Sequence, residues 1–167
     1  VIVSPIWPNI INAVSALGAD HKLVSLKQKG LTWHLELDEL FSAVDSSTAA
    51  IFIASPSNPT GWVCDPIQQR AILDFCTDRK IYLIADEVYQ RIYFSGEVAT
   101  SFLDASIQDN PPLIIVNSFS KNWAMTGWRL GWLIHPENDA SCIGELNAVN
   151  NTGASTFIQY AGIEALR

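Results

Sequence analysis

The chain has 167 residues, of which 49% are hydrophobic and 16% charged, and its formal net charge at neutral pH is −7. This length and composition are typical of a globular domain with a sizeable core and exclude a disordered chain. The acidic balance and the lack of a basic run argue against a nucleic-acid-binding surface. No apolar run is long enough to span a membrane and no signal peptide is visible, so we expect a cytoplasmic protein.

The cysteines offer no sign of a metal site. Cys64, Cys76 and Cys142 are odd in number, widely spaced and without paired ligand spacing. We therefore expect three small core residues in a reducing compartment. The chain begins at Val1 and its one methionine is Met125, so we also expect it to be an excerpt of a longer chain.

The first third of the chain alternates short strands with amphipathic helices. Asn9 is a good helix N-cap, and the apolar positions that follow it end at Gly18. Asp38 and Glu39 favour the start of a second helix. The predicted strands occupy residues 1–3, 23–26 and 49–54. The last of these is a continuous apolar run, which predicts a strand buried on both faces.

The rest of the chain continues the alternation. Asp65-Pro66 predicts a helix start, because a capping residue is followed by a proline at the first helical position. The inner face of this helix is predicted to consist of Ile67, Ala71, Ile72, Phe75 and Cys76. A polar, less regular connection is predicted over 95–112. Further strands are predicted at 81–85, 113–116 and 130–134, and two helices at 140–150 and from 155 onward.

Strands that alternate with amphipathic helices predict an α/β fold with a largely parallel sheet. In such sheets, ligands bind beyond the carboxyl ends of the strands. Three polar segments directly follow a predicted buried strand, at residues 55–61, 86–89 and 118–129. We therefore expect these segments to meet at one edge of the sheet.

The segment from 118 to 131 concentrates unusual chemistry in a short loop. It contains two serines, Lys121 and Arg129, with glycines on either side of the arginine. Lysine supplies a primary amine whose pKa falls readily on burial, and arginine supplies a planar fork for phosphate oxygens. This combination suits a site that binds a phosphate and carries out amine chemistry. Taken alone, it fits a polar surface loop equally well.

The other two segments narrow the choice of ligand. Asp86 ends an apolar strand, where an ionised carboxylate needs a cationic or hydrogen-bonding partner. Tyr89 follows closely enough to share its site, and Asn58 lies in a loop constrained by prolines. A single ligand accounts for all of these residues, namely a phosphorylated, protonated pyridine that bears an aldehyde and a phenolic oxygen.

Three motifs stand in order along the chain: Ser57-Asn58-Pro59-Thr60-Gly61, Ala85-Asp86-Glu87-Val88-Tyr89, and Ser118-x-Ser120-Lys121 followed by Arg129-Leu130-Gly131. With these motifs the chain resembles the class I/II aminotransferases, enzymes of fold type I that depend on pyridoxal 5′-phosphate (PLP). The resemblance covers nearly the whole chain. It implies a three-layer αβα large domain with a mostly parallel sheet. It also implies a homodimeric enzyme that moves an amino group between an α-amino acid and a 2-oxo acid.

The resemblance also implies catalytic roles for three residues. Lys121 would form a Schiff base with PLP and shuttle the substrate proton. Asp86 would pair with the pyridine nitrogen and keep it protonated. Tyr89, together with Asn58, would hydrogen-bond the phenolic oxygen of the cofactor.

The remaining cofactor-binding roles come from the same resemblance. Ser118 and Arg129 would bind the phosphate, with Ser120 as a weaker candidate, and Trp7 would stack on the pyridine ring. The glycines Gly127 and Gly131 are expected to permit close approach of the backbone.

The chain also departs from the family. It contains neither the upstream glycine- and hydroxyl-rich loop that completes the phosphate cup nor the smaller C-terminal domain, whose arginine binds the substrate carboxylate. We therefore expect residues 1–167 to be the central part of the large, cofactor-binding domain, and hence an incomplete fold.

Three other functions fit parts of the pattern. A lyase or synthase of the same fold, such as a carbon–sulfur lyase, would share the cofactor-binding residues. A transcription regulator with an aminotransferase-like effector domain would require a DNA-binding helix-turn-helix domain before Val1. A plain nucleotide-binding α/β domain has little support, because the chain contains no Gly-x-Gly-x-x-Gly or P-loop signature.

Overall fold

The computed structural model describes residues 1–106 and 109–167. The strands are β1 (Ile2–Ser4), β2 (Leu23–Ser25), β3 (Lys27–Lys29), β4 (Thr32–His34), β5 (Ala50–Ala54), β6 (Tyr82–Asp86), β7 (Leu113–Ser118) and β8 (Gly131–Ile134). The helices are α1 (Asn9–Ala16), α2 (Leu37–Ser42), α3 (Pro66–Arg79), α4 (Phe102–Ala105), α5 (Phe119–Asn122), α6 (Ala140–Asn151) and α7 (Thr156–Ala165). Short 3-10 turns occupy Thr126–Trp128 and Glu137–Asp139.

Six of the strands form one mostly parallel sheet, in the spatial order β2-β1-β5-β6-β7-β8. The neighbours from β2 to β7 run parallel, and β8 pairs antiparallel with β7. Helices flank this sheet, so the predicted α/β layer architecture is confirmed. The strands β3 and β4 form a separate antiparallel hairpin that the sequence analysis did not predict.

The two faces of the sheet are covered unequally. On one face, the buried side chains of the central strands pack against Ile72, Leu73 and Cys76 of α3. These strand residues are Ile51, Ile53, Leu83, Ala85, Leu113 and Ile115. The alternate residues of β5, which include Phe52 and Ala54, are only half-buried. The prediction of a strand buried on both faces is therefore wrong for β5, because residues on its second face keep solvent contact.

Helix α3 begins where the sequence predicts but faces the core differently. The Asp65 carboxylate accepts hydrogen bonds from the Ile67 and Gln68 N–H groups, at 2.9 and 3.0 Å, and Pro66 is the first helical residue. Ile67, however, is 82% exposed, so its predicted place on the inner face is wrong. At about 3.6 residues per turn, Ile67 lies on roughly the opposite side of the helix from Ile72 and Cys76.

Two smaller predictions also differ from the structure. Pro8, not Asn9, precedes the first turn of α1, and no side chain caps that helix. Cys142 is exposed, because α6 has no buried residue, whereas Cys64 and Cys76 are buried. Burial raises the pKa of the Cys76 thiol to about 12 and also raises the pKa of the Cys64 thiol.

The connection predicted over 95–112 contains the short helix α4, which the sequence analysis missed. Ser101 and Asp104 form a capping box at its start, with the Asp104 carboxylate accepting from the Ser101 N–H at 3.1 Å. Residues 107 and 108 of the predicted connection lie outside the described residues. Within the described part of the chain, no helix has the length and apolarity needed to cross a membrane.

We predict that residues 1–167, expressed alone, will self-associate. Helices α6 and α7, together with the residue that follows α7, expose large apolar side chains to solvent, namely Leu146, Val149, Phe157, Tyr160, Ile163 and Leu166. Exposed apolar surface of this kind marks an interaction site or an aggregation liability. Light scattering should therefore detect species larger than a monomer. Phe157→Gln should increase the monomer fraction, whereas Ile67→Gln, at an equally exposed position on α3, should not. A monodisperse monomer of the unaltered segment would contradict this prediction.

Candidate active site

The register of the central strands brings the three polar segments to the same end of the sheet. Ala54 of β5 is paired with Asp86 of β6, and Asp86 is paired with Val116 of β7. Beyond these pairs, the Ser55 N–H donates to the Asp86 carbonyl at 3.0 Å, and the Glu87 N–H donates to the Val116 carbonyl at 2.9 Å. The segments that follow β5, β6 and β7 therefore start side by side, as the sequence predicts.

A cavity of about 440 Å³ opens at this end of the sheet. Five of the seven predicted cofactor-binding residues line it: Trp7, Asn58, Asp86, Tyr89 and Lys121. The rest of the lining is mainly apolar and consists of Ile6, Asn9, Ile10, Phe52, Ala54 and Val88. A mainly apolar cavity with a few convergent polar groups is the usual form of a small-molecule site. The structure thus gathers most of the predicted site residues around one space.

Asn58 and Tyr89 lie next to each other in the lining of this cavity. The Asn58 Nδ2 donates to the Tyr89 hydroxyl oxygen at 3.4 Å, and the Trp7 N–H donates to the Asn58 carbonyl at 3.0 Å. Lys121 Nζ lies 5.9 Å from the centre of the Tyr89 ring. The amine, the phenol and the carboxamide can therefore reach one bound molecule at the same time.

Asp86 is a charged group that its surroundings only partly satisfy. Burial raises the pKa of its carboxyl, and the Val88 N–H, which donates to Oδ1 at 3.1 Å, offsets this effect only in part. A cation bound in the cavity would favour the ionised carboxylate and lower its pKa again. The site therefore suits a ligand that presents a positively charged nitrogen to Asp86.

Glu87 is a buried carboxylate that the sequence analysis did not single out. Only 2% of the residue is exposed, and its carboxylate accepts from the Ser101 hydroxyl and the Phe102 N–H, each at 2.8 Å. Burial raises the pKa of Glu87, and these hydrogen bonds partly offset that rise. The pattern Ser101-x-x-Asp104 signals a helix start, but nothing local in the sequence connects it with Glu87. This carboxylate ties the end of β6 to the start of α4.

Ser118 and Arg129 are not among the described residues that line the cavity. Ser118 is paired with Gly131 across β7 and β8, and its hydroxyl donates to the Leu130 carbonyl at 3.2 Å. The same hydroxyl oxygen accepts from the Ser120 N–H at 3.0 Å. Arg129 is exposed, and its Nη1 donates to the Thr126 carbonyl at 2.9 Å. The phosphate-binding roles of Ser118, Ser120 and Arg129 stay predictions.

The two glycines expected to permit close backbone approach behave differently. A Cβ on Gly131 would lie 2.7 Å from the Asn117 carbonyl oxygen, so this position requires glycine. A Cβ on Gly127 would meet nothing within 4 Å, so the prediction is wrong for Gly127. The difference arises because Gly131 pairs with β7, whereas Gly127 lies in an exposed 3-10 turn.

A second cavity, of about 380 Å³, lies between α1 and the strands β1 and β5. Its lining includes Ile10, Val14 and Phe52, with Asp20, His21 and Lys22 among its charged or titratable residues. None of the catalytic residues implied by the three motifs is among the residues that line it. The predicted catalytic residues therefore line the first cavity and not the second.

The chain is similar to known aminotransferases in both sequence and structure. It is 38% identical over 167 residues to a probable aspartate/prephenate aminotransferase of Aquifex aeolicus, covering 98% of this chain and 41% of that protein. It is 31% identical over 166 residues to an aspartate aminotransferase of Thermotoga maritima, covering 99% of this chain and 43% of that protein. Its structure matches the crystal structure of an aromatic aminotransferase from Pyrococcus horikoshii OT3 with a TM-score of 0.89 and 34% identity, covering 99% of this chain and 44% of the other.

The chain thus spans about two fifths of the length of the relatives that it matches. The sequence profile of the family described as "Aminotransferase class I and II" matches residues 1–167, the whole chain. The order of the three motifs, the mostly parallel sheet and this match agree with one another. The chain belongs to the class I and II aminotransferase family.

Proposed function

We propose that the protein containing this chain is an aminotransferase that uses PLP to move an amino group between an α-amino acid and a 2-oxo acid. The observation that carries this proposal is the convergence of the Lys121 amine, the Asp86 carboxylate and the Tyr89 hydroxyl on one cavity. The names of similar proteins, which include aspartate and aromatic aminotransferases, support the same class of reaction.

The donor set of the cavity fits PLP. Asp86 would face the protonated ring nitrogen, which would supply a cation beside this partly buried carboxylate. Tyr89 and Asn58, already joined through the Asn58 Nδ2, would hydrogen-bond the phenolic oxygen. Lys121 would hold the aldehyde carbon covalently through Nζ. Trp7 is 57% exposed at the cavity, which leaves its indole free to cover a bound ring.

When bound, PLP supplies a cationic conjugated ring that withdraws electrons from the substrate Cα. Once the substrate amine has displaced it from the aldehyde carbon, Lys121 Nζ would act as the general base that takes the Cα proton, and then as the acid that delivers this proton to that same carbon of the cofactor. Asp86 would keep the ring nitrogen protonated, because an ionised carboxylate favours a cation beside it. Tyr89 and Asn58 would fix the orientation of the ring by hydrogen-bonding its phenolic oxygen.

The phosphate would be bound next to the cavity by Ser118 and Arg129. Two hydrogen bonds support this pairing, because the Leu130 carbonyl accepts from both the Ser118 hydroxyl and the Phe119 N–H. These bonds fix the residue that follows Arg129 against the end of β7. Arginine suits the role because its planar guanidinium can bind two phosphate oxygens at once.

We further propose that residues 1–167 form part of the large, cofactor-binding domain of a cytoplasmic homodimer. The smaller, substrate-binding domain would lie outside this chain. The coverage of about two fifths of the relatives' length supports this division. The substrates would be small molecules, an α-amino acid and a 2-oxo acid, and the names of aspartate and aromatic aminotransferases among the similar proteins support an amino acid as one of them.

Borohydride reduction of the protein in the presence of PLP should fix the cofactor on Lys121. Trypsin would then no longer cleave after Lys121, so mass spectrometry should detect a single peptide, residues 92–129, with the added mass of the cofactor. Lys121→Ala should abolish this adduct and lower turnover by roughly 10²- to 10⁴-fold, as expected for the loss of a general base. Lys27 is exposed and pairs with Glu39 at 2.9 Å, so Lys27→Ala should retain both the adduct on Lys121 and the turnover. An adduct on a different lysine would disprove the assignment.

Asp86→Asn should raise the unfolding temperature of the cofactor-free protein at neutral pH. Because burial raises the pKa of Asp86 above its usual value of 3.8, ionisation penalises the folded state. The folded state is therefore free of this penalty below the usual pKa, and it loses stability as the pH rises through the raised pKa. Thermal scans should show that the advantage of Asp86→Asn disappears towards pH 3.8 and grows as the pH increases.

PLP binding should make the unfolding temperature of the unaltered protein higher than that of Asp86→Asn. PLP should raise the unfolding temperature of the unaltered protein more than that of Asp86→Asn, because only the carboxylate pairs with the ring nitrogen. Glu87→Gln, which neutralises a carboxylate held by Ser101 and Phe102, should retain the PLP-dependent increase. An equal increase in Asp86→Asn would refute the pairing of Asp86 with the cofactor.

Arg129→Lys should weaken the affinity for PLP by roughly ten-fold, about 1.4 kcal/mol. Lysine retains the charge but loses the bidentate contact with the phosphate. The affinity for pyridoxal, which lacks the phosphate, should be unchanged in the same variant. Arg79, whose guanidinium lies 5.2 Å from the centre of the Phe75 ring, provides the matched control, and Arg79→Lys should leave the affinity for PLP unchanged. Equal losses for PLP and pyridoxal, measured by fluorescence titration, would exclude a phosphate contact.

A further inference from the structure

Three carboxamides connect the two segments that carry Tyr89 and Lys121. Asn117 Nδ2 donates to Gln90 Oε1 at 3.4 Å, and Asn122 Nδ2 donates to Asn117 Oδ1 at 3.3 Å. Gln90 directly follows Tyr89, and Asn122 directly follows Lys121. The three side chains, here called the carboxamide chain, therefore span the gap between the two catalytic residues.

Backbone groups fix the orientation of each carboxamide. The Ser118 N–H donates to Asn117 at 2.8 Å, so the atom that receives it must be the oxygen. The Arg91 N–H donates to Asn122 at 3.1 Å, so this atom is also an oxygen. At the far end, the Gln90 amide nitrogen donates to the Ala99 carbonyl at 3.2 Å. Each donor consequently meets an acceptor, and no carboxamide can be reversed without losing a backbone partner.

A second contact joins the same two segments. The Arg91 guanidinium lies 5.2 Å from the centre of the Trp123 ring, a favourable arrangement of a cation over an aromatic face. Arg91 thus contacts both residues that follow Lys121, through its N–H group and through its side chain. Asn122 is half-buried, whereas Lys121 itself is exposed. The contacts therefore restrain the backbone around Lys121 and leave its side chain free.

We infer that Asn122 is a positioning residue, which holds the backbone of Lys121 at the distance from Tyr89 that the amine chemistry requires. Asn122 is not among the described residues that line the cavity, so it acts through Lys121 and not by contact with a ligand. Within the carboxamide chain, Asn122 is the residue next to Lys121, and its Oδ1 accepts a hydrogen bond from the Arg91 N–H, two residues after Tyr89. This inference rests on the proposed covalent role of Lys121.

The test measures how fast Lys121 captures PLP in the protein that contains this chain. PLP is added to the cofactor-free protein, samples are reduced with borohydride at intervals, and the modified peptide 92–129 is quantified by mass spectrometry. Asn122→Ala should slow capture by about ten-fold, because small displacements of a reacting group are costly. Asn122→Asp retains the acceptor for the Arg91 N–H and should slow capture less, by about three-fold. Asn151→Ala, in which an exposed asparagine of α6 is removed, should match the unaltered protein.

A second measurement separates positioning from a general loss of structure. In a Lys121→Ala background, PLP binds without covalent capture, so the addition of Asn122→Ala should change its affinity by less than about two-fold. An equal loss of affinity with and without Lys121, or capture at the control rate in Asn122→Ala, would overturn the inference. If Asn122→Ala does not fold, Asn122→Asp, which has the same shape, decides by the same two measurements. A complete lack of the Lys121 adduct in the unaltered protein would refute the proposed function itself, and this inference with it.

Discussion

The partly buried carboxylate of Asp86 is the constraint on which the arrangement of the site depends. It stands at the end of β6, where burial raises its pKa and one N–H group only partly stabilises its charge. A cation bound beside Asp86 would remove this penalty, because it favours the ionised carboxylate. The parallel register places Ala54 and Val116 on either side of it, so the segments that follow β5 and β7 must open onto the same carboxylate.

The neighbouring carboxylate of Glu87 shows that the chain can satisfy a buried charge internally. Successive residues of a strand point to opposite faces, so Asp86 faces the cavity while Glu87 meets Ser101 and Phe102. Both carboxyl groups have raised pKa values, because loss of solvent, nearly complete at Glu87 and partial at Asp86, disfavours their ionised forms. Among the described residues, Glu87 receives hydrogen bonds from a distant segment of the chain and Asp86 does not. On the cavity side, the described residues give the Asp86 carboxylate one N–H donor, from Val88. This carboxylate therefore suits a cationic ligand.

The sequence predicts the positions of the site residues better than it predicts their contacts. Strand-end motifs are local, and a parallel sheet aligns strand ends, so Asn58, Asp86, Tyr89 and Lys121 could be assigned to one place in advance. The contacts of Glu87 with Ser101 and of Gln90 with Asn117 join residues that are distant along the chain, and no local pattern encodes them. The errors at Ile67 and Cys142 have a related cause, because both residues are apolar yet lie on helix faces that nothing in the described structure covers.

The environment of Lys121 combines a restrained backbone with an unrestrained side chain. The Ser118 hydroxyl, the carboxamide chain and the Leu130 carbonyl hold the backbone on both sides of the lysine. Its amine, in contrast, is exposed and lies near the Tyr89 ring without a close ionic partner among the described salt bridges. In the role proposed for Lys121, the amine would change position by rotation of the side chain while the backbone stays in place. The polar residues around α5 would serve that role by restraining the backbone, even though they are not among the described residues that line the cavity.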